Sequence, residues 1–526
     1  MKTKKTLLLC TMLSVALGGC GTVTSENSSS TNDESSPVID SSESLSESTT
    51  ISSSSKEESS LNSSSVSSSN SQVTDSSSSS LDSTGDIVGK VNENFEFETF
   101  GLYTPTVEKM AELPSYTPNT IDVSTYKSNT TKLSEGVDLV KVEYKLTSGG
   151  PVNPYCIVVD LTKANIVAGS YNNSVSPSTY AKLSTPVSQA RAWLKDNPTK
   201  DYIAVTNADF FGATCVNAFV KDGVILKSNH NSDLNDVPVS KPMMFGVSTS
   251  GARIAPMTEI DDYNKNLASY LRTNGFVMFK EDGQISYKGI FNTLQTGRID
   301  ENVTFLTTPS TKAVSNGTKV YKFKKLQEDK CKTDEVRGFI VADESGATSV
   351  SPTEEYGYMV VGKRTTVPVS VGDYFGTIRN SIISEDGLWN GYDTILGCRH
   401  SLLENGVIPS TVAKEDSNGA KSRVPRTAVG IMPDGKVVIV SVEDLHYNQK
   451  LSNAPSVCSG LNLSQLADFM RYFGCYDAAN FDGGGSSQLI TKVNGEEVVQ
   501  TRSSDFGTYG LTESRPVLNT IIVTKK

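Results

Sequence analysis

Near its C-terminus the chain reads Asn480-Phe481-Asp482-Gly483-Gly484-Gly485-Ser486-Ser487, a carboxylate and a carboxamide set against three glycines and two hydroxyls. Each glycine costs about 0.5–1 kcal/mol of backbone entropy relative to Ala in regular structure. A backbone kept at that cost suits a bend that turns consecutive N–H groups toward an anion, with Asp482, Ser486 and Ser487 aimed at the same ligand. A glycine-rich hairpin turn would use the same residues. The run is not a P-loop, because no Gly-Lys-Ser/Thr closes it. It is not a nucleophile elbow either, since Gln488 stands where G-x-S-x-G needs its second glycine.

Two other clusters carry chemistry-bearing side chains. Thr206-Asn207-Ala208-Asp209-Phe210-Phe211-Gly212 follows an apolar run from Tyr202, and Asn and Asp are poor strand residues, so the cluster reads as a site at a strand's end or as a turn that caps the strand. Arg423-Val424-Pro425-Arg426-Thr427-Ala428-Val429-Gly430 leads into Val437–Val442, which ends at Glu443-Asp444. Arg426 has the fork geometry to hold a phosphate, or is a solvated charge ahead of a strand. His230, His400 and His446 show neither H-x-x-x-H nor H-E-x-x-H spacing, and no two cysteines have C-x-x-C spacing. Carboxylates are therefore the candidate catalysts, and the residues assign no metal site and no cofactor.

The elements that must position these groups are mostly strands. Val137–Lys145, Tyr155–Leu161, Tyr202–Thr206, Val437–Val442 and Val517–Val523 are β-branched or aromatic runs bounded by turn residues. Helical periodicity appears over Thr185–Leu194 and, more strongly, over Asn462–Phe473, which ends at Gly474. The expectation is an α+β, strand-rich mixed α/β domain, with a mixed β-sheet and flanking helices, over residues 134–526. Residues 85–133 show no period and receive no role.

Ahead of that domain, Lys2, Lys4 and Lys5 precede an apolar run from Leu7 to Leu17, and then Leu17-Gly18-Gly19-Cys20. The run is too short to span about 30 Å of hydrocarbon and reads as a processed signal, residues 1–19, with a lipid on Cys20. Residues 20–84 form a Ser-rich tether with almost no aromatic residues, a composition that does not offset its ordering entropy. A flexible chain of that length averages roughly 45 Å end to end, with a contour on the order of 200 Å. The expected location is the extracellular face of the cell membrane. A formal charge of -11 and a pI near 5.1 exclude a basic nucleic-acid surface. Beyond Cys10 and Cys20 there remain Cys156, Cys215, Cys331, Cys398, Cys458 and Cys475, whose pairing the sequence leaves open. No protein partner is inferred.

Asn207 to Phe211, Lys241-Pro242-Met243-Met244-Phe245-Gly246, Leu402-Leu403-Glu404-Asn405-Gly406, Arg426-Thr427-Ala428-Val429-Gly430, Ala478 to Ser487 and Arg515-Pro516-Val517-Leu518-Asn519 together resemble the phosphodiester glycosidase family, and run in that family's order. The resemblance implies hydrolysis of the bond between a sugar's anomeric carbon and a phosphodiester, of the N-acetylglucosamine-1-phosphodiester type. It implies Asp482 as the carboxylate at C1, with Asp209 as acid/base or sugar-binding partner and Glu443 or Asp444 able to exchange with it. The implied substrate and phosphate contacts are Asn207, Arg426, Asn480, Gly483, Gly484, Gly485, Ser486 and Arg515. Where the family often has Asp-Gly-Arg, this chain has Glu443-Asp444-Leu445 and a longer insert through Asn453; Lys450 is the nearest substitute for the missing Arg. With a surface anchor, the expected substrate is a cell-wall or capsular phosphoglycan or teichoic acid. The alternatives are a hydrolase of a different glycan or P–O linkage, and a non-catalytic carbohydrate-binding or adhesion lipoprotein.

Overall fold

Val437–Val442, Arg426–Ile431, Tyr202–Asn207 and Thr394–Cys398 are buried at every position. A strand sends alternate residues to opposite faces, so such runs need cover on both sides. The computed structural model describes Pro105, Val107 and residues 110–526, except 176–178, 229–242, 257–271, 281–282, 293–302, 308–310, 315–317, 326–333, 364, 379–381, 384–386, 416–422, 445–459, 503 and 506–514. The signal, Cys20, the tether, His230, Lys241-Pro242, Lys450, Cys331 and Cys458 lie outside the described residues.

Three antiparallel sheets supply the cover. The first runs Ile121–Ser134, Val137–Leu146, Pro154–Val159, Val437–Val442, Arg426–Ile431, Asp477–Asn480, His400–Leu403. The second runs Glu496–Thr501, Leu489–Val493, Tyr202–Asn207, Thr520–Lys525, Ala164–Gly169, and the third Gly251–Pro256, Met243–Ser248, Thr394–Cys398, Phe219–Lys221, Val224–Lys227. Their inner faces share one core, with Ile157, Val429 and Ile439 from the first, Ile203 and Ile521 from the second, and Phe219, Phe245 and Leu396 from the third. Phe481 enters it edge-on to Phe245, ring centroids 6.3 Å apart.

Helices cover two of the outer faces. Leu463–Phe473 lays Leu466, Phe469 and Met470 on Ala428, Val438 and Val440 of the first sheet. Its start is fixed by a reciprocal Asn462–Gln465 capping box, and its end by Gly474 at φ 103°. Pro186–Asp196, capped by Thr185, sets Ala190 and Trp193 on Tyr202, Val205 and Ile522 of the second sheet. The outer face of the third sheet packs against an insertion between its own strands. There an eight-stranded sheet spanning residues 272–383 closes on itself, because Arg272–Lys280 pairs with Gly283–Phe291 as well as with Tyr374–Ile378. Phe305, Phe323 and Phe375 fill its interior, with Phe375 5.1 Å from Phe305 and 5.0 Å from Phe323 between centroids.

The α+β expectation is overturned: 49% of the structure is strand and 11% helical, and the described residues hold three α-helices. The expected mixed sheet is also corrected, for the one parallel pairing among the described strands is Gly283–Phe291 with Val303–Leu306. The reason lies in signal length. Each of the two longer helices spans 11 residues of amphipathic period, whereas many strands of the insertion are two to seven residues long and interrupted by polar turns.

The segment ahead of residue 134, which receives no role from its sequence, is tied to the body. Ile121–Ser134 is the edge strand of the first sheet. Just before it, Asp468 of the Leu463–Phe473 helix accepts from Tyr116 Oη at 2.5 Å, Asn119 N at 3.1 Å, Thr120 N at 2.7 Å and Thr120 Oγ1 at 2.6 Å. Arg471, one turn along, donates to Pro114 O at 2.9 Å and Gly406 O at 2.7 Å. Of the cysteines, Cys156, Cys215, Cys398 and Cys475 are buried free thiols.

Candidate active site

The three sheets meet where their strands run out, and the polar clusters read from the sequence stand at that junction. Asp209 follows the Tyr202–Asn207 strand of the second sheet, and Asp482 follows Asp477–Asn480 of the first. Backbone bonds lock the two loops side by side: Asp482 N donates to Ala208 O at 2.9 Å, and Ala208 N to Asn519 O at 3.3 Å. Asn207 completes the lock, since its Nδ2 donates to Asp482 O at 2.7 Å while its Oδ1 accepts from Thr427 Oγ1 at 2.9 Å. Asn207 is thus a buried brace that holds both carboxylate loops to the Arg426–Ile431 strand.

Asp209 is 2% exposed. Its carboxylate accepts from Asn217 N at 3.0 Å and Asn217 Nδ2 at 2.8 Å, and its own N–H donates to Asn519 Oδ1 at 2.9 Å. Burial pushes its pKa up to about 7, against the Asn217 bonds and the Lys227 charge, and the neighbouring Asp482 carboxylate raises it further. Asp482 keeps some exposed surface but is closely surrounded by protein, and that desolvation lifts it to about 6. The opposing influences are the Ser486 hydroxyl, Arg515, the Gly483 N–H that donates to Oδ1 at 2.9 Å, and Arg399. Ser486 Oγ approaches without forming a full hydrogen bond. Two carboxyls raised chiefly by burial, one mostly ionised and one near half-protonated at neutral pH, can divide acid/base work between them.

The glycine turn does something other than expected. Its N–H groups are engaged within the protein: Gly483 N on Asp482, Gly484 N on Pro425 O at 2.9 Å, Ser486 N on Gly483 O at 3.2 Å and Ser487 N on Gly484 O at 3.2 Å. Gly483 and Gly484 therefore do not present free N–H donors to a phosphate. Close approach explains the glycines instead. A Cβ on Gly483 would stand 2.9 Å from Pro425 O, and one on Gly485 2.2 Å from Asp505 Oδ2; Gly484 has φ +58°. The turn carries the chain from the first sheet directly into the Leu489–Val493 strand of the second.

The remaining predicted residues separate into two groups. Arg515 stands by the pair, ion-paired to Asp505 at 3.2 Å and 5.8 Å above the Phe211 ring, and its charge acts on Asp482. Arg426 begins its strand beside Gly483, but its Nε donates to Leu461 O at 2.9 Å, so part of its fork holds the loop ahead of the helix. Glu443 accepts from Arg502 N at 2.7 Å and Nε at 3.4 Å, and burial raises its pKa. Asp444 is buried beside it. Neither is among the named influences on Asp209 or Asp482. The Leu402-Leu403-Glu404-Asn405-Gly406 segment ends in a hairpin turn with Asn405 at φ 52° and Gly406 at φ 75°, and serves to bond Arg471.

Arg399, Asn217 and Asn519 have no role in the sequence reading. Arg399 lies between Thr394–Cys398 of the third sheet and His400–Leu403 of the first, with its guanidinium 5.9 Å from the Phe210 centroid. The adjoining Phe210-Phe211 was the available clue, since a paired aromatic after an acidic residue is a platform for two cations. Buried polar atoms without a protein partner also gather here: Arg399 Nε, both polar atoms of Asn480, Ser486 Oγ, Gln488 Oε1 and Asn519 Nδ2. Native folds satisfy nearly all such groups, with ordered water, an ion or a ligand where protein partners are lacking. Among the described residues no group of three or more His, Cys, Asp or Glu is placed to hold a metal ion.

A paired-carboxylate site at the junction of antiparallel sheets is an arrangement suited to glycosyl hydrolysis. Residues 310–524 match the phosphodiester glycosidase family, which bears out the resemblance read from the motifs. The matched stretch contains Arg399, Arg426, Asp482 and Arg515; Asn207 and Asp209 precede it. No curated protein matches the chain. Among solved structures, a hypothetical protein from Synechocystis is similar at 14% identity and TM-score 0.48, over 76% of this chain and 64% of that one. This chain thus spans less than two thirds of that protein. A Burkholderia pseudomallei K96243 protein matches at 12% identity and TM-score 0.47, over 79% and 100% of the two chains. The zebrafish N-acetylglucosamine-1-phosphodiester alpha-N-acetylglucosaminidase catalytic domain matches at 13% and 0.35, over 76% and 88%. At these TM-scores none of the three supports a statement about fold or chemistry.

Proposed function

We propose that this protein hydrolyses a sugar 1-phosphodiester, with Asp482 at the anomeric carbon and Asp209 as its acid/base partner. The observation that carries the reading is the Asp209–Asp482 pair, raised to about 7 and about 6 in one locked pair of loops. A departing phosphate monoester has a second pKa of about 6, so it leaves with little protonation. What the reaction demands is a carboxylate that stabilises or traps oxocarbenium character, and Asp482 is the more acidic of the two. Asp209, near half-protonated at neutral pH, assists departure and then activates water. The Arg515 charge beside Asp482 favours its ionised form, while Arg426 steadies the loop below. The substrate is a phosphoglycan or teichoic acid of the cell envelope. The sequence of residues 1–84 supports that choice: a lipid on Cys20 and a Ser-rich tether confine the domain to polymer within reach of its own membrane.

The test is hydrolysis of a synthetic N-acetylglucosamine 1-phosphodiester and of purified wall phosphopolymer in oxygen-18 water. Label in the released sugar and a loss of about 10³-fold or more in Asp482→Asn are expected. Label in the phosphate would place the cut at P–O. Binding without turnover, unchanged in Asp482→Asn, would make the protein a carbohydrate-binding module.

A further inference from the structure

The missing arginine after Val442 leaves open which cation holds the substrate's phosphate. Four arginines lie within or around the site, and three of them are committed. Arg515 is paired with Asp505, Arg502 lies on Glu443, and Arg426 bonds Leu461 O. Arg399 differs. Its backbone N–H donates to Asn480 O at 3.1 Å, which fixes its Cα beside the strand that delivers Asp482. Its guanidinium rests against Phe210, the residue after Asp209, so the side chain spans from one carboxylate loop to the other. Among the described residues no carboxylate or carbonyl accepts from that guanidinium, and Nε is a buried donor without a partner. A buried guanidinium N–H left without an acceptor is costly unless a ligand supplies one.

We infer that Arg399 is the phosphate-binding residue of this site. The inference rests on the proposed glycosidase reading for its substrate, but its geometry asks only for an anion with oxygens in a fork, such as a phosphodiester. The Phe210 ring, 5.9 Å from the guanidinium, steadies a fork that can make two parallel N–H contacts to non-bridging oxygens.

The experiment compares wild type, Arg399→Gln and Arg399→Lys on two substrates with the same sugar, a 1-phosphodiester and an aryl glycoside without phosphate. Calorimetric binding of inorganic phosphate and of the sugar 1-phosphate accompanies it. Arg399→Gln should lower kcat/KM on the phosphodiester by about 10- to 100-fold, the range for a charge-assisted hydrogen bond, leave the aryl glycoside within about threefold, and weaken phosphate binding in parallel. Arg399→Lys should restore part of both. The Gln variant should also move the acid limb of the pH profile upward, because the Arg399 charge favours ionised Asp482. Equal losses on both substrates, or unaltered phosphate binding in a folded Gln variant, would overturn the assignment. If wild type turns over neither substrate, the glycosidase reading fails on its own. The phosphate titration still decides Arg399, since binding lost in Arg399→Gln and kept in Asp482→Asn upholds it.

Discussion

Replacing Asp209 by Asn probes the electrostatics of the site without reference to any substrate. Asp209 is 2% exposed, and burial carries its carboxyl from 3.8 up to about 7. Because the folded value is raised, the unfolded chain gives up its proton first. The stability tied to that proton is whole below about pH 4 and is lost as pH rises through about 7. With those two values, the loss between pH 5 and pH 8 is about 2 to 3 kcal/mol, at 1.36 kcal/mol per pH unit over the interval where the two states differ in bound protons. Asn does not titrate. It does present an amide to the two Asn217 donors where a carboxylate had accepted both, which costs about 1–3 kcal/mol at every pH. Denaturant midpoints of the two proteins at pH 5, 6, 7 and 8 separate the effects: the offset reads the lost hydrogen bonds, and the slope reads the proton. The variant is expected to gain on wild type from pH 5 to about pH 7 and to level off by pH 8. Parallel curves with a constant offset would refute the raised Asp209 carboxyl, and with it the division of labour between the two aspartates.

Two further perturbations address the frame and the anchor. Asp468→Ala removes one carboxylate that accepts four bonds from Tyr116, Asn119 and Thr120, and is expected to lower stability by about 3 kcal/mol and open the chain ahead of Ile121 to protease; a variant as resistant as wild type would show that Arg471 holds the segment alone. Cys20→Ala is expected to shift the protein from the membrane fraction to the medium, and a variant retained by membranes would remove the lipid anchor from the proposed location.

Much of the site frame was legible because its chemistry is local. The Val437–Val442 strand and the Leu463–Phe473 helix carry periodic apolar signals and caps within a dozen residues, and the structure places both where those signals end. The polar clusters at Asn207–Asp209 and Asn480–Asp482 were visible because Asn and Asp interrupt strands that are otherwise apolar. The insertion was not legible. Its strands take their burial from a ring that pairs Arg272–Lys280 with the distant Tyr374–Ile378 and from the outer face of the third sheet, contacts that no window of sequence contains. The glycine run misled for a related reason: three glycines signal that something approaches the backbone, and Pro425 O and the Asp505 carboxylate do so here rather than an anion.

Arg399 shows why partners in a site are harder to read than its carboxylates. Nothing in Gly397-Cys398-Arg399-His400 marks the arginine, since a charge between two short strands is ordinarily a solvated turn residue. Its meaning comes from the crossing of the chain at that point from the third sheet to the first, which sets its backbone on Asn480 and its guanidinium over Phe210. Phe210 and Phe211 carry one arginine each, Arg399 on the first and Arg515 on the second. The two aromatics after Asp209 thus hold the two guanidinium groups whose charges act on Asp482, and the second cation can be supplied from anywhere in the chain that the topology brings past.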